Sequence, residues 1–210
     1  MARPRTFDME DAIAKAAGVF WEKGYEDASL PDLLGGMQLT RGSLYKAFTD
    51  KRTLYFRVLE YYEENAVNRA VDILSDEAEP DGRQRILSLF GGIVRAVKSG
   101  DRRGCLLCTA AAGAEMHDPE LAGRIGASLD RMKAAFEVAV SASPPHKDMS
   151  AEQKSLLAGA LLAQYTGLRI LARSGQLTRM LESSLGGIRM MLGSSPQDPP
   201  NAYPGTRYPI

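Results

Sequence analysis

Residues able to do chemistry are few in this 210-residue chain, and they gather in two places. The first is Ser29–Phe48, SLPDLLGGMQLTRGSLYKAF, where Thr40, Arg41, Ser43, Tyr45 and Lys46 bring hydrogen-bond donors and positive charge into one short segment. Such side chains suit phosphate contacts and base edges rather than bond making. The second is Cys105 and Cys108, with His117 further along. Zinc would want a fourth ligand that is not evident, and both cysteines sit in an apolar run, so packing is the default reading. A thiol sensor is the alternative, because Arg102 and Arg103 are placed to favour a thiolate on Cys105. His117 and His146 are the only histidines, and there is no phosphate-binding Gly loop, HExxH or nucleophile elbow. The expectation is a protein that is not an enzyme and that uses neither metal nor cofactor.

The elements that must position these residues read as helices throughout. Ser29 with Asp32 makes a capping box, and Pro31 falls in the first turn, where a missing N–H costs nothing. Leu30, Leu33 and Leu34 form a stripe, and Gly35 with Gly36 weakens the helix near its end. The joint Met37-Gln38-Leu39 lacks the Gly or Asn that most easily takes a left-handed cap, so the turn is either less regular or slightly strained. Thr40 caps a second helix through Phe48, with Leu44, Ala47 and Phe48 on one face and Gly42, Tyr45 and Lys46 on the other. Two short helices with one polar face left free are a helix-turn-helix pattern. A preceding helix capped by Asp8, carrying Ala12, Ile13, Ala16, Ala17, Phe20 and Trp21, would complete its three-helix core. Before it, Arg3 and Arg5 form an arm that can reach phosphate or minor groove.

After Thr49-Asp50-Lys51 a long helix is expected to run until shortly before Pro80, followed by helices over 81–98, 102–116, 119–142, 150–174 and about 176–192. The segment 102–116 is nearly uncharged and reads as a buried helix. The last two helices are apolar over more than one face, through Leu156, Leu157, Leu161 and Leu168 on one and Met180, Leu181, Leu185 and Met191 on the other. Pairing with a second copy into a four-helix bundle is the economical cover for so wide a surface, predicting a homodimer. The division expected is a DNA-binding domain over 1–50, a ligand-binding and dimerisation domain over 51–193, and an irregular Pro-, Ser- and Gly-rich tail over 194–210.

A hydrophobic content of 44% is ample for a core without disulfides. Charge balances at zero, so a nucleic-acid role needs segregation rather than excess, and Arg41, Lys46, Lys51 and Arg52 do fall around the motif. No secretory h-region opens the chain, and charges interrupt each apolar run before it reaches bilayer length, so a soluble cytoplasmic protein without membrane association is expected.

The stretch AIAKAAGVFWEKGYEDASLPDLLGGMQLTRGSLYKAFTDKRTLYFRVL resembles the TetR/AcrR family of transcriptional repressors, above all through Phe20, Gly24-Tyr25, Arg41-Gly42-Ser43-Leu44-Tyr45, Phe48, Lys51 and Leu54. RRGCLL, HDPEL and GLRILARSG look like the ligand-binding half of AcrR-like members. The resemblance implies an all-α homodimer that binds a palindromic double-stranded DNA operator and leaves it when a small molecule enters the C-terminal domain. It places Thr40, Arg41, Gly42 and Ser43 against bases and phosphates, with Gly42 letting the backbone approach DNA. Tyr45, Lys46 and Lys51 would hold phosphates, and Ser29 joins this set. Tyr61, Tyr62, Phe90, Cys105, Cys108, Met116, Met132, Phe136 and Tyr165 are the candidate ligand-binding residues of the second domain. Relatives with a similar Gly-Cys-Leu stretch include electrophile and oxidant sensors, the alternative reading for Cys105. A constitutive architectural DNA binder is the third, though it would need no second domain of this size.

Overall fold

The computed structural model describes residues 7–174 and 178–194, with Ser174 and Thr178 as backbone only; every regular element among them is helical. Arg3, Arg5 and the tail from 195 lie outside the described residues. Local sequence chemistry sets the first four helices. In α1 (Met9–Lys23) the Asp8 carboxylate accepts from the N–H groups of Glu10 at 2.8 Å and Asp11 at 3.3 Å. In α2 (Leu30–Met37) the Ser29–Asp32 box closes in both directions, at 3.0 Å and 3.3 Å. Thr40 caps α3 (Arg41–Ala47), accepting from Ser43 N–H at 3.2 Å. Asp50 caps α4 (Lys51–Tyr62), accepting from Thr53 N–H at 2.6 Å. Each cap satisfies backbone donors that no carbonyl of the helix can reach.

The long helix expected from Lys51 forms as one continuous helical run to Ser75, with its register shifted part-way. A single π turn over Glu63–Val67 separates α4 from α5 (Asn68–Ser75), and the chain leaves helical geometry at Asp76. Asn65 Nδ2 donates to the Tyr61 carbonyl at 2.8 Å, competing with the backbone at the bulge. At the other end the Asp76 side chain accepts from Ala78 N–H at 3.0 Å, a local turn that outcompetes further helix. The expected helix over 102–116 is corrected more heavily, because only α7 (Leu106–Ala110) and a 3₁₀ turn (Ala114–His117) form. Gly104 sits at φ 73°, and a Cβ there would overlap the Arg169 carbonyl. That backbone conformation lets Cys105 end the loop as the cap of α7.

The remaining elements are α6 (Gly82–Lys98), α8 (Pro119–Ser141), a 3₁₀ turn (Pro144–His146), α9 (Ala151–Ser174) and α10 (Thr178–Met191). The capping box expected before α9 forms, with Ser150 N–H donating to Gln153 at 2.8 Å and Gln153 N–H to Ser150 at 3.2 Å. Helices α5, α6, α8 and α9 pack together, with α10 against α6 and α9, around Phe90, Phe136 and Tyr165, whose ring centroids lie 6.0–6.3 Å apart. The apolar core passes without a break from α1 into α4: Phe20 meets Tyr55 edge-on at 4.9 Å. The two halves are further tied by Arg173 of α9, which donates to the carbonyls of Trp21 at 2.6 Å and Glu22 at 3.1 Å at the end of α1.

One stretch departs from the expectation about apolar runs. Ala151–Arg173, within α9, is by length and composition apolar enough to cross a bilayer. Its Ala158, Leu161, Leu168 and Ala172 are buried against the protein, while Leu156, Ala160, Ala163 and Ile170 are exposed.

Candidate nucleic-acid interface and the buried thiol

Helix α3 divides cleanly. Leu44 and the following Phe48 are buried in the apolar core, while Arg41, Gly42, Tyr45 and Lys46 are all exposed. The Arg41 guanidinium lies 6.0 Å from the Tyr45 ring centroid, holding two long side chains together on that face. An ideal Cβ on Gly42 meets no atom within 4 Å, so nothing inside the protein asks for glycine there. The turn before α3 is regular but strained: Gln38 takes the left-handed conformation, φ 56° and ψ 39°, that a Gly would adopt more cheaply. Its side chain is steadied by Lys15 Nζ at 3.4 Å. Gly36 acquires a reason too, since a Cβ there would collide with Val19 of α1; Gly35 is open to solvent.

The other proposed contacts are placed less freely. The Ser29 hydroxyl donates to Asp32 at 2.6 Å and accepts from its N–H, so the cap uses it. Lys23 also meets Asp32, at 2.5 Å, and the hydrogen bonds of Lys23 and Ser29 hold that carboxyl down to about 2. Lys51 stands at the start of α4 with its ammonium on the Glu26 carbonyl at 3.1 Å and 4.8 Å from the Tyr25 ring centroid. Arg52, grouped with the motif's positive charge from sequence, points elsewhere: it forks onto Asp118 at 2.5 and 3.1 Å and reaches Glu120 at 2.7 Å. Those acids cap and open α8, so Arg52 joins the two halves of the chain rather than widening the basic face. The positive face therefore rests on Arg41 and Lys46.

In the second half, Cys105 and Cys108 are free and buried. Cys105 Sγ accepts from Cys108 N–H at 3.4 Å at the N-terminus of α7. Burial opposes ionisation of Cys105, yet hydrogen bonds from Cys108 and the Tyr62 hydroxyl, with the positive charge of Arg169, together hold its thiol well below the ordinary range. A hydrogen bond from the Cys108 thiol to Cys105, together with burial, pushes Cys108 upward. The cation responsible is not the one expected from sequence. Arg103 pairs with Asp101 at 3.0 Å and lies over Trp21 at 4.6 Å, while Arg102 is exposed. Arg169 was missed because its neighbourhood with Cys105 exists only once α9 docks on the 101–105 loop.

The nine ligand candidates divide in the same way. Tyr62, Cys105, Cys108, Met132 and Tyr165 line one cavity, with Arg169 closing it. Its volume is about 20 Å³, room for a single water. Tyr61 faces a different cavity. Phe90 and Phe136 are fully buried packing residues, and Met116 is 41% exposed because the helix expected to bury it does not form. Among the described residues no group of three or more His, Cys, Asp or Glu side chains is placed to hold a metal ion.

Against known proteins, residues 12–58 match the profile "Bacterial regulatory proteins, tetR family". The chain is 29% identical over 166 residues, 79% of its length and 83% of the relative's, to the uncharacterized HTH-type transcriptional regulator YezE of Bacillus subtilis. It is 33% identical to the HTH-type transcriptional repressor BdcR of Escherichia coli over 118 residues, 56% of this chain and 58% of BdcR. Its fold superposes with a TM-score of 0.75 and 26% identity, over 91% of this chain and 98% of the other, on a cysteine mutant of the TetR family transcriptional regulator CifR complexed with 26 bp double-strand operator DNA. With α1–α3 built as a helix-turn-helix on a larger helical domain, the chain belongs to the TetR family of bacterial regulatory proteins.

Proposed function

We infer that this DNA-binding transcriptional regulator is a cytoplasmic repressor that reads a palindromic operator with α3 and leaves it when a small molecule binds. The observation that carries the reading is the exposed face of α3, with Arg41, Gly42, Tyr45 and Lys46 presented together over a buried Leu44. Thr40 and Ser43, linked at 3.0 Å, stand at the helix start, where N–H groups favour phosphate. Dimerisation is supported by a stripe left uncovered on α9, Leu156, Ala160, Ala163 and Ile170, and on α10 by Met180, Gly187 and Met190. The spacing keeps each set on one helix face, with small residues where a second copy of α9 would approach closely.

Selection from a random duplex library tests this. The enriched sites are expected to be inverted repeats with half-sites about one helical turn, roughly 34–36 Å, apart. Lys46→Ala is expected to weaken binding uniformly across sequences and to reduce the salt slope by about 1. Failure to enrich any duplex overturns the reading. An operator affinity that no hydrophobic compound or oxidant shifts points instead to a constitutive binder.

The depressed Cys105 thiol supports a second reading of how the operator is released. A cavity of about 20 Å³ has no room for a drug-sized inducer without rearrangement, whereas a small electrophile or oxidant needs only to reach the sulfur. Because the thiolate form of Cys105 persists below the ordinary thiol range, its reaction is expected to be nearly independent of pH from neutrality upward and to fall only in acid. The rate at which iodoacetamide, a reagent that does not itself ionise, releases an operator complex at graded pH measures this. Cys105→Ser should abolish the release and Cys108→Ser should retain it; equal sensitivity in Cys105→Ser sinks the thiol reading.

A further inference from the structure

A separate cavity of about 230 Å³ lies where the DNA-binding helices meet the second half of the chain. Ala14, Ala17, Gly18 and Trp21 of α1 form one wall, Tyr61 and Tyr62 of α4 the other, and Arg103 sits at one edge. We propose that this cavity binds a planar aromatic carboxylate of one or two rings. Three features argue for that ligand class.

The walls select a flat apolar body. Trp21 and Tyr62 meet edge to face at 5.2 Å and 90°, and beside Trp21 the α1 wall is built mainly of the small residues Ala14, Ala17 and Gly18, which keeps a gap open between the helices. Gly18 marks the open side, since a Cβ there would meet no atom within 4 Å.

Charge selects the polar end. Lys15 and Arg103 both line the cavity, and no carboxylate is among its lining residues. Their acidic partners stand outside it: Asp11 holds Lys15 at 2.7 Å and Asp101 holds Arg103 at 3.0 Å. Those pairs fix the two cations in position and offset their charge, so what the cavity offers a ligand carboxylate is placed N–H donors.

One donor is also left over. The indole N–H of Trp21 is buried without a hydrogen-bond partner among the described residues, an imbalance that an acceptor-bearing ligand or a water carried with it would relieve. Size limits the ligand, for the cavity is smaller than a drug-sized site, and it is distinct from the thiol cavity, with Tyr62 and Ala66 as the shared wall.

Trp21 is the chain's single tryptophan, so its fluorescence reports this cavity alone. Titration of the full chain with para-iodobenzoate, a heavy-atom quencher, is expected to quench it saturably. The neutral para-iodobenzyl alcohol should bind about tenfold more weakly, the loss of one charge-assisted contact. Gly18→Leu, which puts a bulky side chain on the open side from a Cβ that meets no atom within 4 Å, should remove the saturable component while far-ultraviolet circular dichroism stays unchanged. Arg103→Gln should bring acid and alcohol to within about twofold of each other, a readout that holds even if Gly18→Leu fails to fold. Quenching that rises linearly without saturation, or that is identical in both variants and wild type, overturns the proposal. The titration needs no operator, so its failure would leave the DNA-binding reading intact.

Discussion

Gly42→Leu is expected to lose operator binding by about 100-fold or more, roughly 2.7 kcal/mol, while the folded protein is unharmed. Gly42 is the second residue of α3, exposed, with empty space where its Cβ would stand. Inside the protein a side chain there replaces the poorest helix former other than proline, so stability should hold or rise by up to about 1 kcal/mol. Toward DNA the same substitution acts the other way. Gly42 lies one turn before Tyr45 and Lys46 on the face that we place against the groove, and a leucine would hold the backbone off the phosphates by its own bulk. Gly42→Ala should fall between, with a loss on the order of tenfold. Fluorescence anisotropy on a selected duplex, paired with a thermal melt, separates the two effects. Binding within about threefold of wild type, in a folded variant, would show that the Gly42 face does not approach DNA.

The second large effect is on stability, and it comes from Gly82→Ala. Gly82 is the first residue of α6 and is buried, and a Cβ built on it overlaps the carbonyl of Ala139 near the end of α8. Its N–H also donates to the Ala142 carbonyl at 3.3 Å. Both obstacles are backbone, so no rotamer change can relieve them and the two helix ends must separate. A cost of about 3 kcal/mol is expected, which for a chain of this size lowers Tm by roughly 6–12 °C. Gly123→Ala in exposed α8 sets the opposite sign, because no atom lies within 4 Å of its Cβ and the substitution gains helix propensity, about 1 kcal/mol. Differential scanning calorimetry at one fixed protein concentration measures both, since dimerisation makes Tm depend on concentration. A Gly82→Ala melt within about 2 °C of wild type would mean that the α6–α8 crossing tolerates separation.

Local pattern made much of this protein legible. Asp8, Ser29 with Asp32, Thr40, Asp50 and Ser150 with Gln153 each act within three residues along the chain, and all five form the helix caps read from the sequence. The strain anticipated at Gln38 took one form of the two left open, a left-handed cap. The π turn over Glu63–Val67 and the end at Asp76 were missed because apolar periodicity continues through both, while at Asp76 a single polar side chain redirects the backbone. Met116 was misplaced for a related reason: apolar composition argued for a helix that ends at Ala110, and at Gly113 the backbone is extended before the turn that carries Met116.

By itself, then, the Ser29–Phe48 stretch determined the helix-turn-helix, because caps and apolar stripes act over one or two turns and need no knowledge of what lies across the molecule. Tertiary structure alone decided which charges face which partners. Arg52 went to Asp118 and Glu120, Arg173 to the carbonyls of Trp21 and Glu22, and Arg169, not Arg102 or Arg103, to the Cys105 thiol. The reason is range: ion pairing falls off over a few ångströms, and helices distant in the chain come that close only after their apolar faces have docked.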